Sequence, residues 1–107
     1  GTRTTLALDN PVGYTYDNGI LVVVLKNIGT ASYTGGVVKA SCDDPQVLIN
    51  GLSGIVNVPI AAFSANEALH TPMTVTRNGF PVEASVTLTV DSGNLNSIFN
   101  TVLDLTV

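Results

Sequence analysis

The sequence predicts an all-β antiparallel sandwich of about seven to eight strands, and three observations carry that expectation. Apolar and polar residues alternate at period two, turn residues break the alternation about every eight to twelve positions, and no segment sustains a helical pattern. Period two marks a sheet with one buried face because successive strand side chains point to opposite sides. The 107 residues are expected to form one domain spanning residues 1–107, a common size for a unit that folds alone.

The clearest strand is expected over residues 82–90. Val82, Ala84, Val86, Leu88 and Val90 share one face, and Glu83, Ser85, Thr87 and Thr89 the other. Asn78-Gly79 precedes it, after residues 73–77, and Asn-Gly accepts positive φ readily. The spacing therefore predicts a hairpin between these two segments. Residues 4–8 alternate weakly and stop at Asp9-Asn10-Pro11. Residues 36–42 turn Val38, Ala40 and Cys42 inward and stop at Asp43-Asp44-Pro45. A brief strand is expected at 47–49, and another at 55–60 with Val56, Val58 and Ile60 inward. Pro59 marks the latter as an edge or a strand end, since proline cannot donate to a ladder. The last strand, residues 101–107, turns Leu103, Leu105 and Val107 inward. Residues 64–67 and 95–99 are long enough for single helical turns at most.

Residues 20–25 break the alternation, being apolar on both faces. With Leu21, Val23 and Leu25 in the core, Ile20, Val22 and Val24 face outward, where an antiparallel sandwich usually meets water. Two covers are open to them: a loop of the same chain, such as residues 11–16 with two tyrosines, or another subunit.

Charged residues make up 11% of the chain, against roughly 25% in ordinary soluble domains. The net charge is −4, so a nucleic-acid partner, which needs clustered positive charge, is not expected. Disorder is not expected either, because 45% of the residues are hydrophobic. So few charges suit a surface packed against neighbours; they equally suit a surface of threonine, serine, asparagine and glycine, which the sequence also supplies. No apolar run approaches the ~20 residues of a membrane span, no signal peptide is evident, and the start at Gly1-Thr2-Arg3 suggests a processed or excised chain.

Candidate chemistry is sparse. Cys42 alone cannot form an internal disulfide, and its alternating neighbours favour a small buried hydrophobe over a nucleophile or an inter-chain bridge. His70 is the one histidine, so any catalytic base rests on it, and no context pairs it with Cys42. Two Cys/His residues are too few for zinc. Asp43-Asp44, Asp17-Asn18 and Asp91-Ser92-Gly93-Asn94 are the calcium candidates; none has the spacing of a calcium loop, and Asp and Asn are ordinary turn formers. Tyr14, Tyr16 and Tyr33 fall in expected loops, where a small stacking platform for a sugar is conceivable. The expectation is no enzyme, no metal and no cofactor.

Residues 21–26 running into Asn27-Ile28-Gly29-Thr30 resemble the V-K-N-x-G-T element of bacterial and archaeal surface immunoglobulin-like modules. Chief among these is the cell-adhesion-related domain (CARDB). Residues 61–67 stand where that family has L-x-x-G-E, with Asn66 in place of the glycine. Residues 84–91 followed by 100–107 resemble its Y-x-V-x-V-x-V-D … N-N-x-x-x-x-L-x-V ending, with Leu95-Asn96-Ser97-Ile98 where an acidic stretch is usual. The resemblance spans roughly residues 15–107. It implies an immunoglobulin-like antiparallel β-sandwich, a non-catalytic role, and an extracellular, cell-surface or virion-surface setting.

Three functions follow as expectations. The first is a structural subunit of a repeating surface assembly, such as a filament, a lattice or a particle decoration. Its partners are copies of itself or other subunits, joined by terminal strands and apolar contacts. Its interface candidates are Ile20, Val22 and Val24 on the two-faced strand, and Thr4, Leu6 and Leu8 on the first strand. The second is an accessory adhesion module of a larger secreted protein, binding a glycan or protein ligand. The third, an enzyme, needs His70 beside Cys42 or an acidic partner.

Overall fold

The computed structural model describes residues 2–107; Gly1 lies outside the described residues. Nine strands follow one another: β1 (Leu6–Leu8), β2 (Tyr14–Asp17), β3 (Ile20–Asn27), β4 (Gly36–Cys42), β5 (Leu48–Ile49), β6 (Val56–Ile60), β7 (Ala68–Thr76), β8 (Glu83–Val90) and β9 (Phe99–Thr106). They form two antiparallel sheets. One has the order β1-β3-β7-β5 with β2 also on β3, and the other has the order β6-β4-β8-β9. No helix occurs among the described residues.

The alternation explains the layers. Leu21, Val23, Leu25, Met73 and Val75 of the first sheet, and Val38, Ala40, Val86, Leu88, Leu103 and Leu105 of the second, are buried in one shared core. Fully burying each such valine or leucine contributes roughly 1.5–3 kcal/mol, which is why these faces turn toward each other. The strand count exceeds expectation because β1 and β2 are two halves of one edge. Leu6–Leu8 pair with Leu25, Lys26 and Asn27, while Tyr14–Asp17 pair with residues 20–23 of the same β3. Between them, Asp9 N donates to Val24 O at 2.9 Å and Val24 N donates to Gly13 O at 2.8 Å. Residues 10–12 thus leave the ladder beside Val24.

The expected hairpin through Asn78-Gly79 does not form. β7 pairs with β3 and β5, and β8 pairs with β4 and β9, so the segment between them crosses from one sheet to the other. A two-residue type I′ turn needs positive φ at both central residues. Asn18-Gly19 (49° and 74°) and Asn50-Gly51 (50° and 77°) meet that need, closing β2 on β3 and Ile49 on Leu52. At Asn78-Gly79 only the glycine has positive φ, at 114°. The apolar rows of β7 and β8 meet face to face across the core, which side-by-side pairing would forbid.

Candidate functional site

The outer face of the five-stranded sheet holds the first predicted interface residues. Ile20 lies opposite Thr74, Val22 opposite Pro72 and Val24 opposite His70. Ile20 is 49% exposed and Val22 half-buried, while Val24 is only 8% exposed. Val24 is accordingly not a surface residue: the departure of residues 10–12 from the ladder on one side and β7 on the other leave it little access to water. The two tyrosines proposed as cover for this face are turned the other way. Tyr14 pairs with Val23 and Tyr16 with Leu21, and both pack against the core. Exposed Pro72 lies opposite Val22, while Ile20 stands between Asp17 and Thr74; exposed Leu48 and Ala68 lie further out on the same face, opposite Thr76 and Lys26.

The N-terminal candidates serve the chain's own fold. Thr4 and Leu6 are buried and Leu8 packs against the core, so none of the three forms an open surface. The cause is Asn27, at the end of β3 and fully buried. Its Oδ1 accepts from Thr4 Oγ1 at 2.5 Å and from Gly29 N at 3.1 Å; its Nδ2 donates to Ala31 O at 2.8 Å and to Phe63 O at 3.4 Å. One amide thereby joins the first segment, the turn after β3 and the segment before β7. A Cβ at Gly29 would collide with Thr4 Oγ1. The asparagine and the glycine of the Asn27-Ile28-Gly29-Thr30 run are therefore both structural.

The chemical candidates are not brought together. Cys42 belongs to the inward row of β4, while His70 stands exposed on the outer face of the other sheet, so a whole sheet separates them. Burial chiefly pushes the Cys42 thiol above its ordinary pKa. A backbone hydrogen bond at Asp44 opposes this, and the Asp43 carboxylate adds to it. A nucleophile needs the thiolate, which these surroundings disfavour.

The acidic turns are occupied by their own chain. Asp43 Oδ1 accepts from Ser85 N at 2.9 Å, Asp44 accepts from Gln46 N and pairs with Arg77 at 2.9 Å, and Asp91 pairs with Lys39 at 3.0 Å. Asp17-Asn18 belongs to the β2–β3 turn. Among the described residues no group of three His, Cys, Asp or Glu side chains is placed to hold a metal. An open depression of about 290 Å³ lies among Asp43, Glu83, Ser85 and Asp104. Hydroxyls of Ser85 and Thr106 already donate to Asp104 and Glu83 there.

No stacking platform forms either. Tyr33 is fully buried, donates from its hydroxyl to Ser92 O at 3.0 Å, and meets Phe63 edge-on at 5.9 Å between ring centroids. Tyr16 donates to Val75 O at 2.6 Å.

What remains open is the periphery of the sheets. Among the described residues β9 pairs over its whole length with β8 alone. Val82 and Val107 exchange both backbone hydrogen bonds, which fixes the alternation of the ladder. Leu105, Leu103, Thr101 and Phe99 bond toward β8. The N–H and C=O groups of Asn100, Val102, Asp104 and Thr106 point away from it. Val102 is 57% exposed, and Ile98 just before the strand is also exposed. The last strand is among the terminal strands expected to pair with a neighbour, but Ile98 and Val102 were not among the interface candidates. Their signal was an apolar residue on the polar side of the alternation.

Compared with protein-family models, curated proteins and solved structures, the chain matches none.

Proposed function

We propose that this chain is a non-catalytic structural subunit of a repeating extracellular or particle-surface assembly: a surface filament, a surface lattice or a virion decoration. Strand and apolar contacts between subunits hold it together. The observation that carries the reading is the outer face of the five-stranded sheet, where Ile20 is exposed and half-buried Val22 lies opposite exposed Pro72, on a chain with only 11% charged residues. Contiguous apolar surface on a small domain marks a place where another molecule sits. Few charges oppose that contact.

Sedimentation of the intact chain over a wide concentration range, with electron microscopy of any polymer, tests this reading. The expected result is a defined oligomer or a regular polymer. A clean monomer at high concentration overturns it.

The alternative is an accessory adhesion or ligand-binding module of a larger secreted or surface protein. It is favoured by the sandwich connectivity, with β3 beside β7 and β4 beside β8, which suits an immunoglobulin-like module of the CARDB kind. That reading expects the monomer.

A further inference from the structure

Among the described residues four stretches of strand edge face solvent, and three are interrupted by proline. On the first edge, residues 10–12 leave the ladder and include Pro11. On β7, beyond the short β5, the outward-pointing backbone includes Pro72, whose missing N–H faces the open side. On β6 the residues directed away from β4 are Asn57 and Pro59. Proline, bulges and lysine at an edge prevent a foreign strand from adding. β9 has none of these. Its eight residues run without a break, contain no proline and no lysine, and keep four successive outward-directed backbone pairs. Such an edge is a template for strand addition.

We infer that β9 pairs with β9 of a second copy, antiparallel, about a two-fold axis at Val102. The inference rests on the assembly reading above and names the contact and its partner. The register follows from the edge itself. Only Asn100, Val102, Asp104 and Thr106 can bond across it, so even-numbered residues oppose even-numbered ones. An axis at Leu103 would set each Val102 against an Asp104, one at Thr101 would set it against an Asn100, and one at Asp104 would set two carboxylates directly opposite, which is destabilising. Placing Val102 on the axis stacks the exposed valine on its symmetry mate and sets Asn100 opposite Asp104, twice.

Those two side chains complement each other. Thr89 donates to Asn100 Oδ1 at 3.4 Å, while Asn100 Nδ2 donates to no group of its own chain among the described residues. Asp104 accepts from Ser85 through Oδ1, which leaves Oδ2 for the incoming amide. The same register brings Ile98 of one copy to the Thr106 end of the other. Phe80, 89% exposed, lies close to that end, in the loop before Val82, which bonds Val107. The four-stranded sheets of the two copies become one continuous sheet of eight. A two-fold contact closes on itself; growth into an array then uses the Ile20 and Val22 face on the other sheet.

The experiment combines sedimentation with disulfide trapping in a Cys42→Ala background. Val102→Cys is expected to give a disulfide-linked dimer under mild oxidation. Asn100→Cys and Asp104→Cys are expected to cross-link when mixed, and not singly. Val102→Lys and Val102→Pro are expected to weaken β9 pairing by about tenfold or more. The proline removes an N–H that bonds nothing within the chain, and the lysine variant answers for any folding defect the proline causes. If the parent chain is oligomeric but both variants keep its oligomeric state and Val102→Cys does not cross-link, the β9 contact is overturned while the assembly reading stands. If the parent chain is monomeric throughout, both fall together.

Discussion

Asn27 and β9 stand at opposite extremes of how this molecule treats its polar groups. At Asn27 a buried amide uses both its oxygen and its nitrogen, on four groups from three separate segments. Along β9 four residues hold backbone donors and acceptors toward water with no partner among the described residues. The contrast teaches where specificity is built. A buried amide left unbonded costs free energy, so its surroundings must be complete before the fold is stable. An edge amide is hydrated at little cost, so it can wait for a second molecule.

The sharpest way to break the comparison is to empty its satisfied end. Asn27→Ala removes four hydrogen bonds and leaves Thr4 Oγ1 and two carbonyls without the amide. It is expected to destabilise the chain by about 3 kcal/mol in urea unfolding. A loss under about 1 kcal/mol would mean that water replaces the amide, and that this end is no more exacting than the edge.

A smaller effect separates packing from backbone freedom. Gly93 has φ of +78° and its added Cβ would lie 2.6 Å from Tyr33 Cε1 and 2.9 Å from Gly35 O; Gly51 has φ of +77° with nothing within 4 Å. Gly51→Ala is expected to cost about 1 kcal/mol, from the left-handed backbone alone. Gly93→Ala is expected to cost roughly 2–3 kcal/mol, because Tyr33 must also move. Equal losses in thermal or urea melts would show that the Tyr33 corner yields.

The smallest expected effect has the opposite sign. Thr71 Oγ1, in the inward row of β7, is buried and has no hydrogen-bond partner among the described residues. Thr71→Val keeps the shape and removes that orphan, so it is expected to stabilise by about 1 kcal/mol in the same unfolding assay. Loss of stability would mean that the hydroxyl is satisfied by water, bringing Thr71 closer in kind to Asn27.

Much of this fold is legible in the sequence alone. The inward rows of β4, β6, β8 and β9 match the alternation residue for residue, and Pro59 stands on an edge as its missing donor requires. Less of the candidate site was legible. Ile20 is exposed as its position suggested, Val22 is half-buried, and Val24, Thr4 and Leu6 are buried by residues distant in the chain. The three Asn-Gly pairs look alike in sequence, and only two of them close tight turns.

The reason is the range over which each property is decided. Side-chain alternation is a local consequence of extended backbone geometry, so the sequence by itself determined which face of β4, β6, β8 and β9 is apolar and that two such faces must meet, but not that residues 14–17 form a strand. Neighbouring strands are chosen by non-local packing. Tertiary structure alone decided that β7 and β8 lie in different sheets, that Asn27 draws the first segment into the core, and that β9 keeps an uncovered edge.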